Sequence, residues 1–463
     1  MQPLALARHL GAPTRFRLPR LAIVGTVLIV LTALGVATAS AAASTLYVDR
    51  GNPSCNDQGQ GTQAQPYCTI GKAASVVGPG QTVLVSSGTY SEAVVISGKN
   101  ASASSPIVVR AADGASVTVR DKTNGFSISS SGYVTVQGFT VTATSAVGIY
   151  ATGSNHITIA GNHVSYAGHP VSGQVAQGIR LNGTNDSLVR GNTTDHNSEA
   201  GIQLVGGSTR NTVQGNESFA NARGYTRAAP GIDLRAPGNT VIGNSSHDNE
   251  DSGIQSYGGG SNGLIVNNVA YYNGDHGIDD LDVPGQRIIG NSVWWNFTAG
   301  INVEGTSSGA TVENNVSVDN GYGISPCITG PCSPRTRGDI RVDPNSTAGT
   351  TVDYNLTWLN NPPSPATLYV WGSSSYTSLA AFRNATGQGA HDLQADPKWV
   401  STSGHDYHLT AGSPAIDSAN SGVSGQQTTD FDGNGRVDDP ATPNVNGAGP
   451  RPYDDRGAFE FQP

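Results

Sequence analysis

Charge is scarce in this chain. Only 13% of its 463 residues are acidic or basic, the formal net charge is −9, and lysine occurs four times, at Lys72, Lys99, Lys122 and Lys398. A nucleic-acid binder carries a basic footprint, so nucleic acid is excluded as a partner. Cysteine is limited to Cys55, Cys68, Cys327 and Cys332. No C-x-x-C spacing is present, which argues against a zinc site built from the four thiolates. Two local disulfides, Cys55 with Cys68 and Cys327 with Cys332, are the simplest pairing and agree with an oxidising compartment. The apolar run Leu21 to Val36 has 16 residues, short of the roughly 20 that a spanning helix needs. Arg8, Arg15, Arg17 and Arg20 precede it and "ATASAAAS" follows it. This is the pattern of a secretory signal over residues 1–43, preferred to an uncleaved anchor. A secreted, monomeric protein with no stable membrane insertion after cleavage is expected, with retention at the cell surface as the variant.

What the chain has in excess is a repeat. "GIRL" (178–181), "GIQL" (201–204), "GIDL" (231–234), "GIQS" (253–256), "GIDD" (277–280), "GINV" (300–303) and "GISP" (323–326) recur mostly every 22 to 24 residues. Two asparagine columns keep step with them, Asn192, Asn216, Asn244, Asn268, Asn291 and Asn315, and, five residues later, Asn197, Asn221, Asn249, Asn273, Asn296 and Asn320. Each unit holds short alternating Ile/Val segments between Gly/Asn turns, strands too short to stand alone. Stacked as one coil per repeat, they bury Ile, Val and Leu and bond the asparagines in ladders. The period predicts an all-β, right-handed parallel β-helix. It excludes hexapeptide and nonapeptide solenoids. Residues 44–125 read as an N-terminal cap with a short helix near Ile70 to Val77 and the first coils, 126–345 as the core, and 346–463 as C-terminal coils and cap. The column Phe219, His247, Tyr271 and Trp294 reads as packing, while Tyr272 and Trp295 are candidates for stacking on a sugar.

"GTQAQPYCTIGKAASVVGPGQTVLVSSGTYSE" and "NGDHGID" (273–279) give the chain a resemblance to the pectate-lyase-like superfamily, and most closely to polysaccharide lyase family 9. The first segment is similar to that group's N-terminal caps, the second to its calcium-binding "N-x-D-D-G-F-D". The resemblance implies that Asp275 and Asp279 ligate calcium, with His276 where a third aspartate would stand and a fourth near Ser252, beside Asp251. It places Asn302, in "AGINVEG", where the family has its catalytic lysine.

The residues themselves lead the same way. With Ile278 inward, Asp279 faces outward, in a column with Gln255, Asp233, Gln203 and Arg180 on adjacent rungs about 4.8 Å apart. Asp251, Gln255, Asp275, Asp279 and Asp233 are therefore expected to converge on one exposed patch. Carboxylates about 4 to 5 Å apart repel by about 1 kcal/mol in water and more when desolvated. A Ca²⁺ ion reverses that sign, and a solvated acidic edge is the alternative. Beside calcium, a uronic-acid residue of an acidic polysaccharide would lose its C5 proton to a positioned base. His276, Arg235 and Asn302 are the catalytic candidates; Arg335, Arg337 and Arg341, with Glu304 and Trp295, are those for binding substrate. "DFDGNGRVDD" offers Asp430, Asp432 and Asn434 at the spacing of a structural calcium loop, although Ala441 stands at its closing position. The expected activity is calcium-dependent β-elimination. A uronan C5-epimerase and a non-catalytic carbohydrate-binding β-helix are the alternatives. Hydrolysis by Asp279 with Asp280 is disfavoured, because neighbouring strand residues point to opposite faces.

Overall fold

The structure, a computed structural model, describes residues 45–168, 176–223, 229–321, 336–360 and 366–463. Three sheets of twelve strands each wind along it as a parallel β-helix. The first sheet runs from Thr45–Val48 to Thr351–Asp353, the second from Gly88–Tyr90 to Leu393–Gln394, and the third from Val94–Ser97 to Ser374–Tyr376. All strand pairs within them are parallel except the last of the third sheet, Tyr369–Trp371 with Ser374–Tyr376. Register follows the repeat: Ile179, Ile202, Ile232, Ile254, Ile278, Ile301 and Ile340 stand in one inward column of the third sheet, none more than 1% exposed.

The "GN" of each repeat has a backbone cause. Gly191, Gly215, Gly243 and Gly290 take left-handed φ values of 58 to 63° just before a ladder asparagine, and Asn267 and Asn314 take the same bend where glycine is lacking. Glycine and asparagine tolerate that bend best. Each ladder amide then bonds the next coil: Asn244 Nδ2 donates to Asn268 Oδ1 at 2.9 Å, and Asn268 Nδ2 to Asn291 Oδ1 at 3.0 Å. The backbone N–H of Asn244 and of Asn268 donates to the same acceptors, each at 2.9 Å. The second column, Asn197 to Asn320, behaves alike and ends on Asp339, which accepts from Asn320 Nδ2 at 3.0 Å. Both columns are therefore scaffold.

Helix α1 (Ile70–Val76) covers the first coils with Ile70, Ala73 and Ala74, and Thr69 caps it, its hydroxyl accepting from Lys72 N. Glu92 accepts the N–H groups of Ile70 and Gly71 at 2.9 and 2.7 Å, which satisfies the first turn. Cys55 and Cys68 are joined by a disulfide; Cys327 and Cys332 lie outside the described residues. At the other end the coils stop at Leu393–Gln394. The chain then folds back over the outer face of the second sheet, where Tyr407, Leu409, Ile416 and Phe459 pack on Val269, Tyr271, Trp294, Val316 and Leu356. The aromatic column is stacked as packing requires, His247 4.6 Å from Tyr271 and 5.2 Å from Phe219.

Candidate functional site

Asp275 and His276 occupy the turn that leads from the second sheet into the strand Ile278–Leu281 of the third, and Asp279 takes the outward position of that strand. The outward column reads Arg180, Gln203, Asp233, Gln255, Asp279, Asn302, Arg341 on successive rungs. Gln255 Nε2 donates to Asp279 Oδ2 at 2.9 Å from one side, and Asn302 Nδ2 donates to Asp279 Oδ1 at 2.8 Å from the other. Arg341 Nη1 donates to Asn302 Oδ1 at 2.6 Å and to Glu304 Oε2 at 3.1 Å, while Nη2 pairs with Asp343. Asp275 bonds the Thr298 hydroxyl and lies 3.5 Å from His276 Nε2.

This network orients the imidazole. A guanidinium only donates, so Asn302 must turn its oxygen to Arg341 and its amino group to Asp279 and to His276 Nε2, 3.1 Å away. His276 Nε2 is then the accepting nitrogen, and the ring hydrogen sits on Nδ1, which is buried without a hydrogen-bond partner. Ligand atoms of His276, Asp279 and Glu304 all lie within 4.8 Å of one another, the one such group among the described residues, and they could hold a metal ion.

Two expectations change here. The patch is not exposed: Asp279 is 3%, His276 2% and Asn302 0% exposed, and Glu304 is the half-buried rim. An outward position on a sheet predicts exposure to water, but amides and a guanidinium from neighbouring rungs cover it. Burial pushes the Asp279 carboxyl up to about 6, with His276 opposing the rise and Glu304 adding to it. Nor do the five acids and amides form one cluster. Asp233, two rungs from Asp279, forms its own knot, accepting from Gln203 Nε2 and Arg235 Nε at 2.8 Å each, and Arg235 also lies over the Tyr257 ring. Burial raises the Asp233 pKa against the pull of Arg235. Asp251 accepts from Ser252 N at 2.9 Å and is not among the three grouped side chains.

Asp280 points into the solenoid, as alternation requires. It pairs in register with Ser256 and Val303, is 0% exposed, and neither carboxyl oxygen has a partner. Burial, with Asp279 beside it, holds its pKa well above the ordinary range. Asp282 binds Thr306. Arg337 stands before the strand Ile340–Val342, and Arg335 lies outside the described residues. Trp295 is on the adjoining corner, beside Trp294. In the C-terminal loop Asp430 accepts from Asn434 N and Glu460 N, and Asp432 from His408. Thr298 and Asp343 were missed. Asp343 was legible as the next outward position after Arg341; nothing in the sequence marked Thr298.

The family described as Pel9A-like, right handed beta helix region matches residues 47–327. Among solved structures the chain is similar to pectate lyase Pel9A, with 18% identity, a TM-score of 0.54, and coverage of 91% of this chain and 98% of that one. It is also similar to a rhamnogalacturonan lyase, with 16% identity, a TM-score of 0.52, and coverage of 78% and 91%. Likeness at these identities is of fold. No curated protein sequence matches the chain.

Proposed function

Starting from the Pel9A-like right-handed β-helix family, to which the chain belongs by its match over residues 47–327, we propose a secreted calcium-dependent lyase of an acidic polysaccharide. Both similar structures are named as polysaccharide lyases. The observation that carries the reading is the meeting of an imidazole, two carboxylates and a guanidinium on three successive rungs of the third sheet.

The donor set fits a hard cation. Asp279 and Glu304 offer carboxylate oxygens and Gln255 an amide, and each Asp279 oxygen keeps a second lone pair after accepting one N–H. Imidazole is a poor partner for calcium, which prefers oxygen, so His276 is left for proton transfer. When bound, the ion supplies positive charge for the uronate carboxylate and for the charge that develops as C5 loses its proton. Once bound sugar displaces the Asn302 amide that covers it, His276 Nε2 is free to take that proton. The C5–H electron pair forms the C4=C5 bond, the C4–O bond breaks, and the leaving oxygen takes a proton from water. Before sugar binds, Asn302 aims the imidazole and Arg341 holds Asn302.

The test is ultraviolet absorbance of the unsaturated uronide, with pectate, alginate, glucuronan and glycosaminoglycans as substrates. At least one polymer should give a rise in calcium that a chelator and His276→Ala each abolish; flat traces with the whole panel overturn the reading. A second reading, binding without turnover, is favoured by Asn302 standing where the resemblance implies a lysine. It would give saturable binding of the same polymers and no absorbance.

A further inference from the structure

Four of the five tryptophans line one groove on the second sheet, away from the acidic face. Trp294 and Trp358 stand in one outward column with Val318 between them. The indoles are thus two rungs, about 9 to 10 Å, apart, and the small side chain between them leaves a slot. Trp295 takes a left-handed φ of 53° and turns out at the edge, its ring 5.7 Å from that of Trp294 and inclined by 40°. The C-terminal segment closes the other side with Trp399, edge-on to Tyr407. The groove is open on one side, and its volume of about 440 Å³ is in the range of small-ligand sites, about 300–1,000 Å³.

Packing accounts for Trp294, which is 8% exposed. Trp295, Trp358 and Trp399 pack on the edge of the same cluster, and each keeps part of its ring exposed around one slot. The polar lining narrows the occupant. Asp319 and Asp396 face the groove against one cation, Lys398, whose Nζ is engaged by the Gly412 carbonyl at 2.8 Å. Two carboxylates and one ammonium leave the groove net negative, so a uronate is disfavoured. Sugar hydroxyls, in contrast, donate to carboxylates, and the negative face of an indole attracts the C–H face of a pyranose.

We propose that this groove binds a neutral pyranose chain, with rings on Trp295 and Trp358 and hydroxyls on Asp319 and Asp396. It is a second saccharide site, independent of the acidic face, and would hold the protein against a polymer that it does not cleave.

The experiment is titration of the intact protein with cellohexaose, xylohexaose, mannohexaose and β-1,4-galactohexaose, and with hexagalacturonate, followed by tryptophan emission and calorimetry. At least one neutral hexasaccharide should bind saturably and shift the emission. Trp295→Ala and Trp358→Ala should each weaken that binding about tenfold or more. Ser403→Arg, on the exposed rim, should block it without touching the packing of the C-terminal segment, with melting curves verifying the fold of each variant. Three results overturn the proposal: no binding by any neutral probe, binding that survives all three substitutions, or an emission change with hexagalacturonate that Trp295→Ala abolishes.

Discussion

Asp279 and Asp280 are chemically identical neighbours with opposite surroundings. Asp279 has an amide on each oxygen and a guanidinium one residue beyond. Neither oxygen of Asp280 has a partner, its side of the strand facing into the solenoid. A buried polar group without a partner costs about 1–3 kcal/mol. Asp280→Ser, which repeats the residue of the previous rung, should therefore raise the unfolding free energy by about 1–3 kcal/mol, read from urea unfolding; an unchanged or lower value contradicts the unpartnered assignment. Asp279 carries the opposite expectation. Calcium at about 100 times its Kd should stabilise the native protein by about 2.7 kcal/mol, and Asp279→Ala should remove that increment, read as the calcium-dependent rise in Tm. If the rise survives Asp279→Ala, the ion is held elsewhere.

The unit of stability one level up is the coil with its ladder. Asn268 donates to Val241 O and Asn291 Oδ1 and accepts two N–H groups from Asn244. Asn268→Ala leaves several buried polar groups without partners, at about 1–3 kcal/mol each, and should lower the urea midpoint more than a surface asparagine would. Reduction of the Cys55–Cys68 disulfide, which spans 13 residues, should cost about 3 kcal/mol by the loop-closure estimate. Coil and ladder were legible in the sequence because both repeat: an inward isoleucine and a "GN" bend recur in step, and stacking forces equal positions into register. A third ladder escaped notice. It runs from Ser187 through Asn211 to Asn239, and its first member is not asparagine. The contact between Asn302 and Arg341 escaped too: "GISP" (323–326), which lies outside the described residues, carries the sequence period, but the rung that pairs with Ile301–Glu304 is Ile340–Val342, 39 residues on. Burial of the acidic face could not be read from alternation, which says which way a side chain points but not what lies over it. The return of the C-terminal segment over the second sheet has no periodicity to betray it.

Across the whole molecule, acids with raised pKa values set the pH response. Burial pushes Glu250 up to about 7 and Asp392, like Asp279, up to about 6. The unfolded chain releases these protons near pH 4. Their contribution is therefore complete below that pH and lost as pH rises through the folded values. His163, raised by its hydrogen bond to Asp195, adds a contribution that is present below about 6.5 and lost above it. Glu217, lowered by its hydrogen bond from His247, works the other way and gives up its share as pH falls below the ordinary carboxylate range. The Tm of the metal-free protein should thus be highest near pH 5 and decline towards pH 8; a Tm that climbs over that interval contradicts the assignments.

Partners in the third-sheet column are 23, 24, 30 or 39 residues apart along the chain, yet they meet in the same register. The surplus enters between a strand of the second sheet and the next strand of the third, Glu217–Phe219 to Ile232–Leu234 and Val316–Val318 to Ile340–Val342. That corner is a docking port for foreign sequence. A longer or shorter segment can be spliced in there while the strands on either side keep their rung-to-rung pairing.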